Sequence, residues 1–568
     1  MAQRVLIIGA VALGPKVACR LRRIDPDAEI TVLDRDKLIS YGGCGIPYYV
    51  GGDVSDIEGL RSTQSHTIRD SKFFGEVKGI DVRTQIEAIE ILRKEKQVRI
   101  RDLRDNSEEL LSYDKLVFAT GASPIRPPFP GADLPNVSIV SNLHHAEAIK
   151  KRLAQGKIGK AVVIGAGAIG IEMAEALTDL WGVETTIIEM ADQVLPQAIG
   201  GNLATVVQRH LEESNVEVLV SERVSGITKA DDSDTLTVSI TDRTIDCDIV
   251  ILSTGIRPNT ELAKAAGLAV GQFGGLLVDR RMRTSDPHIY AGGDCVEVRN
   301  LVSGANQMMP LGSLANRQGR IIATNINGGS AHFPGTVGTF CIKVFELGVA
   351  TAGLTARQAK AAGFDPVVSI VTQADRAHFY PTYQAMYIAL IADRNSRKVL
   401  GIEAVGKGGD AVKARVDAVA SLLHLGVDVA EISNLEAGYA PPFASAMDIV
   451  NNAGNVLDNI LNGFNKTVDP DEFLKELAET DIRVIDVRGA IQAKPYQEKF
   501  GERWLHFPQD DLRTRYTEIP TDEAFFVVCD TGTRSYEGQV VLAAKGITNT
   551  RNIQGGLALV KAIAPEFI

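Results

Sequence analysis

Two cysteines in this sequence have neighbours that could make a thiol reactive. Cys44 lies among glycines in ISYGGCGIPYYVGG, residues 39–52, and the next cysteine along the chain is Cys247. Cys529 begins CDTGTRS, residues 529–535, directly after the apolar run AFFVV. A loop of the second kind turns its amide N–H groups toward one sulfur, and a helix behind the loop lowers the thiol pKa. These residue types predict two separate sites of thiol chemistry.

The composition argues against several kinds of functional site and of binding partner. The six cysteines form neither a CxxC pair nor a cluster with histidine, so we expect no metal site and a reducing compartment. A net charge of −11 argues against nucleic acid and anionic membranes as partners. No stretch reaches about 18 uninterrupted apolar residues, the length that a transmembrane helix needs. We therefore expect a cytoplasmic protein.

The elements that must position these thiols include two strand–helix–strand units. The second unit, KAVVIGAGAIGIEMAEALTDLWGVETTIIE, carries Gly165, Gly167 and Gly170 as GxGxxG and ends in Glu189. The glycines permit a tight turn, close approach of a pyrophosphate and helix–strand packing, while the acid binds ribose hydroxyls. A carboxylate here would repel a 2′-phosphate, so the pattern favours NADH over NADPH. The alternative is a structural glycine turn.

The first unit, RVLIIGAVALGPKVACRLRRIDPDAEITVLD, is a weaker example of the same pattern. Gly9 and Gly14 are present, Val11 takes the place of the middle glycine, and Asp34 takes the ribose position. We therefore predict a second nucleotide site there.

Two short turns support the first nucleotide site. Thr120 and Gly121 close FATG, and Asp294 closes AGGD, each after an apolar strand. Asp294 could accept hydrogen bonds from sugar hydroxyls, or it could cap a helix N-terminus.

The motifs taken in order, GAVALG, SYGGCG, ATG, GAGAIG, TGIRPN and GGD, resemble the flavoprotein disulfide reductases with two dinucleotide domains. Within that family the chain resembles the single-cysteine branch of coenzyme A disulfide reductases, NADH oxidases and peroxidases, and NADH-dependent persulfide reductases. The resemblance covers residues 1 to about 455. It implies FAD in the first unit, NADH in the second, coenzyme A as a further ligand, and a homodimer in which the third domain covers the partner's active site.

The resemblance also implies a role for Cys44. Relatives with a CxxxxC pair cycle a disulfide, whereas the position five after Cys44 is Tyr49. A lone thiolate can attack a disulfide or persulfide and hold the mixed disulfide, or cycle through a sulfenic acid. Either role requires accessibility, a low pKa and a helix end or a cation nearby. Ser40 and Gly43 are assigned with Cys44 to substrate binding; the alternative is an ordinary buried cysteine.

Lys16, Arg20 and Arg23 share one face of the first helix, because they are spaced by four and three residues. In coenzyme A disulfide reductases the matching helix borders the CoA phosphate pocket. The alternative is a solvated basic face.

The third domain departs from those relatives in ways that bear on the substrate. Their Tyr-Tyr-Pro and Tyr-Ala-Pro-Pro-Tyr segments retain Tyr380 and Tyr439 here, but two phenols are replaced by Phe379 and Phe443, and Met447 stands where a lysine is common. We predict weak turnover of CoA disulfide, better turnover of small persulfides or polysulfide, and Tyr439 as the phenol that donates to the departing sulfur.

The last segment resembles single-domain rhodaneses. CDTGTRS is CxxGxRS, and VIDVR, residues 484–488, matches their Asp-Val-Arg strand. The resemblance implies that Cys529 carries a persulfide and that Arg534 is a cation facing the loop. The Cx5R loop of phosphatases needs one residue more between cysteine and arginine. The alternative is an inactive rhodanese-like module.

The expected fold is α/β. It comprises two Rossmann-like domains, an α+β dimerisation domain and a C-terminal α/β rhodanese-like domain. The expected ranges are 1–118 and 249–333 for FAD, 119–248 for NADH, 334–456 for dimerisation and 466–568 for the rhodanese-like domain.

The expected function is NADH-dependent reduction of persulfide, polysulfide or CoA disulfide through FAD and Cys44, with Cys529 carrying sulfur. Two alternatives remain open. One is an NADH oxidase or peroxidase, and the other is a sulfurtransferase with a regulatory flavin module.

Overall fold

A computed structural model describes residues 2–230 and 234–568. The chain divides into two compact units. The first unit runs up to Met190 and resumes over Asn215–Thr336, and the second comprises Ala191–Ser214 and Val337–Ile568. Among the described residues, no helix is long and apolar enough to cross a membrane.

The strands and helices follow in chain order. The strands are β1 (Arg4–Ile8), β2 (Glu29–Asp34), β3 (Asp81–Thr84), β4 (Ile86–Leu92), β5 (Gln97–Asp102), β6 (Glu108–Ser112), β7 (Lys115–Phe118), β8 (Ala122–Pro124), β9 (Val137–Ile139), β10 (Lys160–Ile164), β11 (Glu184–Ile188), β12 (Val216–Leu219), β13 (Gly226–Lys229), β14 (Leu236–Ser239), β15 (Thr244–Cys247), β16 (Ile249–Leu252), β17 (Ile256–Pro258), β18 (Leu276–Leu277), β19 (Ile289–Ala291), β20 (Val296–Arg299), β21 (Asn306–Met308), β22 (Phe340–Val344), β23 (Leu347–Gly353), β24 (Pro366–Ala374), β25 (Ala385–Asp393), β26 (Val399–Lys407), β27 (Thr467–Val468), β28 (Arg483–Asp486), β29 (Trp504–His506), β30 (Phe525–Val528) and β31 (Thr550–Ile553). The helices are α1 (Leu13–Ile24), α2 (Ile46–Gly51), α3 (Ile57–Arg61), α4 (Leu143–Ala154), α5 (Ala168–Thr178), α6 (Gly201–Glu213), α7 (Glu261–Ala265), α8 (Gly312–Ile326), α9 (Ala356–Ala361), α10 (Gly409–Leu423), α11 (Val429–Ser433), α12 (Ile449–Leu461), α13 (Pro470–Glu479), α14 (Ala490–Phe500), α15 (Gln509–Arg515), α16 (Thr533–Ala544) and α17 (Gly556–Ile563).

The first unit contains two parallel five-stranded sheets. Their strand orders are β19-β7-β1-β2-β3 and β12-β11-β10-β16-β9. The two central strands, β1 and β10, are buried over four of their five residues, as expected of parallel strands covered on both faces. Each central strand leads through a glycine turn into a helix, α1 or α5, so both predicted strand–helix–strand units are present.

Two features of the structure cross the predicted domain boundaries. β16 pairs in parallel with β10, so the second sheet extends to Leu252, beyond the boundary predicted between residues 248 and 249. Residues 191–214, which fall in the range predicted for the NADH domain, belong to the second unit with α6. Both differences arise from pairing and packing between segments far apart in sequence.

The second unit contains an antiparallel sheet and a parallel sheet. The antiparallel sheet has the order β22-β23-β26-β25-β24, with α10 packed on β23 and β26 and α12 packed on β24 and β25. The C-terminal sheet has the order β27-β31-β30-β28-β29 and is parallel. Because β30 is central and fully buried, the residues that follow it emerge at the carboxyl end of the C-terminal sheet.

Candidate functional site

The turn between β1 and α1 has the geometry of a dinucleotide loop. Gly9 has φ +111°, and a Cβ at this position would lie 2.1 Å from the carbonyl oxygen of Ala119. A Cβ on Gly14 would lie 1.9 Å from the Gly9 oxygen, so no larger residue fits at either position. Asp34 Oδ2 accepts a hydrogen bond of 2.7 Å from the Ala10 amide, which fastens the turn to the end of β2.

The turn between β10 and α5 repeats this arrangement. A Cβ on Gly170 would lie 1.9 Å from the Gly165 oxygen, and Glu189 Oε2 accepts a 2.7 Å bond from the Ala166 amide. Gly167, by contrast, has nothing within 4 Å of an added Cβ, so the space in front of the turn is open. Neither α1 nor α5 has a side chain capping its N-terminus. Free N–H groups beside open space suit the pyrophosphate of a dinucleotide.

Thr120 and Gly121 lie where the chain passes from the first parallel sheet of the first unit to the second, and Asn259 forms hydrogen bonds with both of them. Thr120 Oγ1 donates to the backbone carbonyl oxygen of Asn259 at 2.7 Å, and Asn259 Nδ2 donates to the backbone carbonyl oxygen of Thr120 at 2.8 Å. The Asn259 amide also donates to the Gly121 oxygen at 2.9 Å. The sequence marked Thr120 and Gly121 as cofactor contacts but did not indicate the positioning role of Asn259.

Asp294 follows β19 inside a 3₁₀ turn, Gly293–Cys295, whose N-cap is Gly292. The structure therefore does not show Asp294 as a helix N-cap. The Gly293 amide donates to Gln318 Oε1 on α8 at 2.7 Å, which fixes the turn. Burial raises the pKa of the Asp294 carboxyl.

Cys44 lies in a 3₁₀ turn, Gly43–Gly45, that leads into α2, and it is exposed. A Cβ on Gly312, at the start of α8, would lie 4.0 Å from the Cys44 sulfur. Ser40, which precedes the turn, is buried with φ +50°, and its amide donates to the Ala10 oxygen at 2.7 Å. The segment that carries Cys44 is therefore attached to the first dinucleotide loop.

The electrostatic environment of Cys44 differs from the one predicted. Although the residue is exposed, the surrounding protein raises the pKa of its thiol by desolvation, and the carboxyls of Glu172 and Asp294 raise it further. The low pKa that either role of Cys44 requires is therefore not produced by the protein groups alone. The reason is that the charges acting on the sulfur come from α5 and from the Asp294 turn, both remote in sequence.

Glu172 and Tyr48 form a pair that the sequence did not indicate. The Tyr48 hydroxyl donates to Glu172 Oε1 at 3.4 Å, and burial raises the pKa of Glu172 to about 7. Both residues line a cavity of about 300 Å³ between α2 and α5, together with Asp53 and Asp179. The available signal was the position of Tyr48, one helical turn after Cys44.

Three contacts fix α2, the helix that follows Cys44. Lys150 Nζ donates to the Tyr49 oxygen at 2.6 Å, and the Trp181 indole donates to the Val50 oxygen at 2.8 Å. A Cβ on Gly51 would lie 3.2 Å from Ala176, so α2 and α5 approach closely. Tyr49, at the position where relatives have a second cysteine, is thus held by packing.

The basic face of α1 is part of a larger cationic cluster. Lys16 and Arg23, with Lys78 and Arg69, act electrostatically on Cys19, whose pKa burial nevertheless raises. The predicted Arg20 has a buried Nε atom without a hydrogen-bond partner, and Arg61 has another. Unpaired buried guanidinium N–H groups fit an anionic ligand better than a solvated surface does. Arg69, Lys78 and Arg61 are additions that spacing on α1 could not reveal.

Tyr380 and Tyr439 lie in two loops of the second unit that are tied to each other. Arg415 on α10 donates to the Asp375 oxygen at 3.0 Å and to the Phe443 oxygen at 3.1 Å, so one guanidinium bridges the loops. A set of exposed aromatic and apolar side chains projects from these loops, namely Phe379, Tyr383, Tyr439, Phe443 and Met447. We call this set the aromatic patch.

Cys529 lies at the carboxyl end of β30 in a loop that wraps its sulfur. The Gly532 amide and the Ser535 hydroxyl each donate to Sγ at 3.2 Å. Cys529 is 0% exposed, so its thiol is enclosed. Arg534 pairs with Asp530 in the same loop, and Arg488 of the Asp-Val-Arg strand binds Asp530 from the other side at 3.2 Å. The predicted loop cation is therefore engaged with a carboxylate.

Known proteins resemble this chain in sequence over most of its length. The family model described as pyridine nucleotide-disulphide oxidoreductase matches residues 3–311, and that family's dimerisation domain matches residues 339–450. An NADH oxidase of Methanocaldococcus jannaschii is 36% identical over 442 residues, which cover 77% of this chain and 95% of the relative.

Two solved structures match nearly the whole chain. An NAD-dependent persulfide reductase from A. fulgidus has 41% identity and a TM-score of 0.92, covering 98% of this chain and 100% of that one. Reduced CoADR-RHD of Bacillus anthracis has 34% identity and a TM-score of 0.91, covering 100% of this chain and 99% of that one. Enzymes of the matched family use FAD and NAD(P)H. The chain belongs to the pyridine nucleotide-disulphide oxidoreductase family.

Proposed function

We propose that this chain is an NADH-dependent reductase of persulfides and polysulfides that works through Cys44. The observation that carries the proposal is an exposed thiol set between the turn of Asp294 and the start of α8, in the unit that holds both dinucleotide loops. The similarity to the A. fulgidus persulfide reductase supports it.

The residues of the chain have distinct roles in this proposal. FAD is held by Gly9, Gly14, Asp34, Thr120, Gly121 and Asp294, and NADH by Gly165, Gly167, Gly170 and Glu189. When bound, these cofactors supply two electrons. The Cys44 thiolate attacks the inner sulfur of R–S–SH, the S–S bond breaks, and HS⁻ leaves a mixed disulfide on Cys44. Two electrons and one proton then return the thiolate and release RSH, so NADH and RSSH give NAD⁺, HS⁻ and RSH.

Glu189 supports the preference for NADH. Its Oε2 accepts from the Ala166 amide at the dinucleotide turn, and an acid at this position of the motif binds ribose hydroxyls and disfavours a 2′-phosphate. We expect Glu189→Ala to weaken NADH relative to NADPH, measured as the ratio of the two kcat/KM values. An unchanged ratio would remove Glu189 from this role.

The basic cluster sets the expected substrates. The buried, unpartnered Nε atoms of Arg20 and Arg61 support binding of an anionic moiety such as a CoA phosphate. The loss of two phenols, at Phe379 and Phe443, removes hydroxyl donors that CoA disulfide reductases have. We therefore propose that CoA persulfide and small persulfides bind, and that CoA disulfide turns over slowly.

The C-terminal domain is proposed to be a rhodanese-like sulfur carrier. The two donors to Cys529 Sγ support it, because an amide and a hydroxyl stabilise an anionic sulfur. Cys44→Ser should abolish NADH-linked persulfide reduction and spare sulfur transfer by Cys529, and Cys529→Ser should do the reverse. Loss of both activities from either folded variant would contradict two separable sites.

We propose a homodimer in which the aromatic patch meets the partner. The dimerisation-domain match at residues 339–450 and the exposure of the patch support it. Tyr439, half exposed within the patch, is then the phenol proposed to donate to the departing sulfur.

One experiment separates this function from its alternatives. Steady-state NADH consumption is measured with polysulfide, glutathione persulfide, CoA disulfide, oxygen and peroxide as acceptors. We expect the persulfides to be fastest. Oxygen or peroxide as the fastest acceptor would establish the oxidase alternative, which the M. jannaschii relative favours. Sulfur transfer without NADH consumption would establish a sulfurtransferase.

A further inference from the structure

The side chain of Gln554 forms hydrogen bonds with the outer edge of the antiparallel sheet in the second unit. β24 is the last strand in the sheet order, and its other side pairs with β25. Gln554 Oε1 accepts from the Ile370 amide at 2.8 Å, and its Nε2 donates to the Val368 oxygen at 3.1 Å. A neighbouring parallel strand makes the same two bonds, to residues on either side of one position. The Gln554 amide thus replaces a strand at this edge.

Gln554 is equally fixed to its own domain. Its Nε2 also donates to Asp469 Oδ1 at 2.8 Å, and its backbone amide donates to the Val468 oxygen at 3.0 Å. The side-chain oxygen and nitrogen are both engaged, and the residue is only 6% exposed. These bonds fix the orientation of the side-chain amide of Gln554.

The residues on either side of Gln554 build the loop of Cys529. Asn552, two residues earlier, has its Oδ1 2.7 Å from Ser535 Oγ, and that hydroxyl lies 3.2 Å from the Cys529 sulfur. Gly556, two residues later, has so little room that a Cβ would lie 2.5 Å from the Asp530 oxygen. The next amide, of Leu557, donates to the Cys529 oxygen at 2.9 Å. None of these contacts involves the Gln554 side chain, so a change in its docking would move the thiol loop together with this segment and would leave the contacts inside the loop in place.

We propose that Gln554 is a positioning residue that registers the C-terminal domain against β24 and so sets where Cys529 is presented. The thiol then works from one docked orientation rather than from a freely moving arm. The predicted effect of Gln554 on turnover rests on the proposed function. The docking of Gln554 against β24 does not depend on that function.

The test uses the full-length holoenzyme and the variant Gln554→Leu, which removes the three side-chain bonds at similar volume. Gln497→Leu, an exposed glutamine on α14, is the matched control. Hydrogen exchange in the peptide that contains Ile370 should be at least tenfold faster in Gln554→Leu and unchanged in the control. Unchanged exchange in Gln554→Leu would overturn the docking role.

The second measurement is NADH turnover with thiosulfate as the only sulfur source, because the proposed route loads that sulfur on Cys529, with sulfite leaving, before it is reduced at Cys44. In Gln554→Leu this turnover should fall at least fivefold. Sulfur transfer from thiosulfate to cyanide, and NADH turnover with a free persulfide, should stay within twofold, which a general loss of stability would not allow. Faster exchange with unchanged thiosulfate-supported NADH turnover would overturn the positioning role.

Two further results keep the inference and the proposed function apart. If Cys529→Ser leaves thiosulfate-supported NADH turnover unchanged, the sulfur-carrier function fails, while hydrogen exchange still decides the docking. If Gln554→Leu does not fold, Gln554→Glu replaces it. This variant keeps an acceptor for Ile370, loses both donor bonds and faces Asp469, so its exchange should be faster than that of wild type at the same pH, by a ratio that grows as the pH rises. Exchange equal to wild type in Gln554→Glu would contradict the docking role.

Discussion

Cys44 combines an exposed sulfur with surroundings that disfavour its thiolate. Desolvation is the largest cause of the raised pKa of the Cys44 thiol, followed by the nearby carboxyls of Glu172 and Asp294. A nucleophilic thiol needs the opposite environment. The protein groups alone therefore disfavour the thiolate, and the proposed mechanism relies on what binds beside the sulfur to stabilise the negative charge.

This environment gives a prediction for the cofactor-stripped protein. Its Cys44 should react with iodoacetamide along a pH profile that lies above that of a free thiol. Glu172→Gln should move the profile down, because above pH 7 it removes a negative charge; the rate at pH 8 should increase about threefold. Mass spectrometry of the Cys44 peptide measures the rate, with Cys341, which is also exposed, as the internal control. A profile below that of a free thiol would contradict the assignment.

At the scale of elements, the proposed nucleotide sites lie at the N-termini of α1 and α5. Two glycines of the second loop have different surroundings, so one should matter for stability and the other for binding. Gly170 touches the Gly165 oxygen, whereas Gly167 faces open space in an extended conformation that alanine adopts freely.

We therefore expect opposite results from two alanine variants. Gly170→Ala should lower the free energy of unfolding by about 1–3 kcal/mol, as overpacking does. Gly167→Ala should leave the melting temperature within about two degrees and raise the KM for NADH at least tenfold. Thermal unfolding and NADH titration measure the two effects. If Gly167→Ala binds NADH normally, the pyrophosphate does not lie against this loop.

A second element, α6, is docked through a buried acid. Glu403 on β26 accepts from the Gly200 amide at 2.7 Å, at the N-terminus of α6, and burial raises the pKa of Glu403 to about 7. A carboxyl whose folded pKa is raised stabilises the fold fully below its unfolded pKa near 4.3, and this contribution is lost as the pH rises through 7.

The stability of the second unit should therefore fall between pH 5 and pH 8. Glu403→Gln keeps an acceptor for Gly200 without the charge, so it should flatten this dependence. Chemical denaturation of wild type and variant across that range measures the difference. Equal slopes in the two proteins would show that Glu403 does not titrate in it.

Local patterns predicted the elements whose parts are close in sequence. Gly9, Gly165 and their acids could be found because each strand–helix–strand unit spans about thirty residues. The pairing of β16 with β10 could not be found, since it joins segments almost ninety residues apart. The same reason hid Glu172 beside Cys44 and Arg415 between the two tyrosine loops. The sequence also could not give the direction of the Cys44 pKa shift, because charges from distant elements contribute to it.

On the scale of the whole molecule, the aromatic patch is the surface that we propose to meet the partner. Phe443 is 74% exposed and Phe379 66%, and exposed apolar surface of this kind marks contact sites in other proteins. Arg415 holds the loops that carry them, so the patch is shaped before any partner binds.

The patch gives a prediction for assembly. Phe443→Glu should weaken the proposed dimer about a hundredfold or more, because it places a charge in an apolar contact, and NADH-linked persulfide turnover should fall with it. Leu425→Glu, another exposed apolar residue outside the two loops, is the control and should leave both unchanged. Sedimentation velocity measures the assembly. A Phe443→Glu protein that remains dimeric would place the interface elsewhere.

The amide of Gln554 also has a protective consequence. β24 contains VVSIV, and without the C-terminal domain its Val368 carbonyl and Ile370 amide would face water as an open edge. Long apolar edges recruit strands from other chains. A chain cut after Gly463 should therefore self-associate with rising concentration, seen by light scattering, and Val368→Lys should suppress the aggregation because a lysine blocks edge pairing. A truncated chain that stays monodisperse would show that β24 is protected without Gln554.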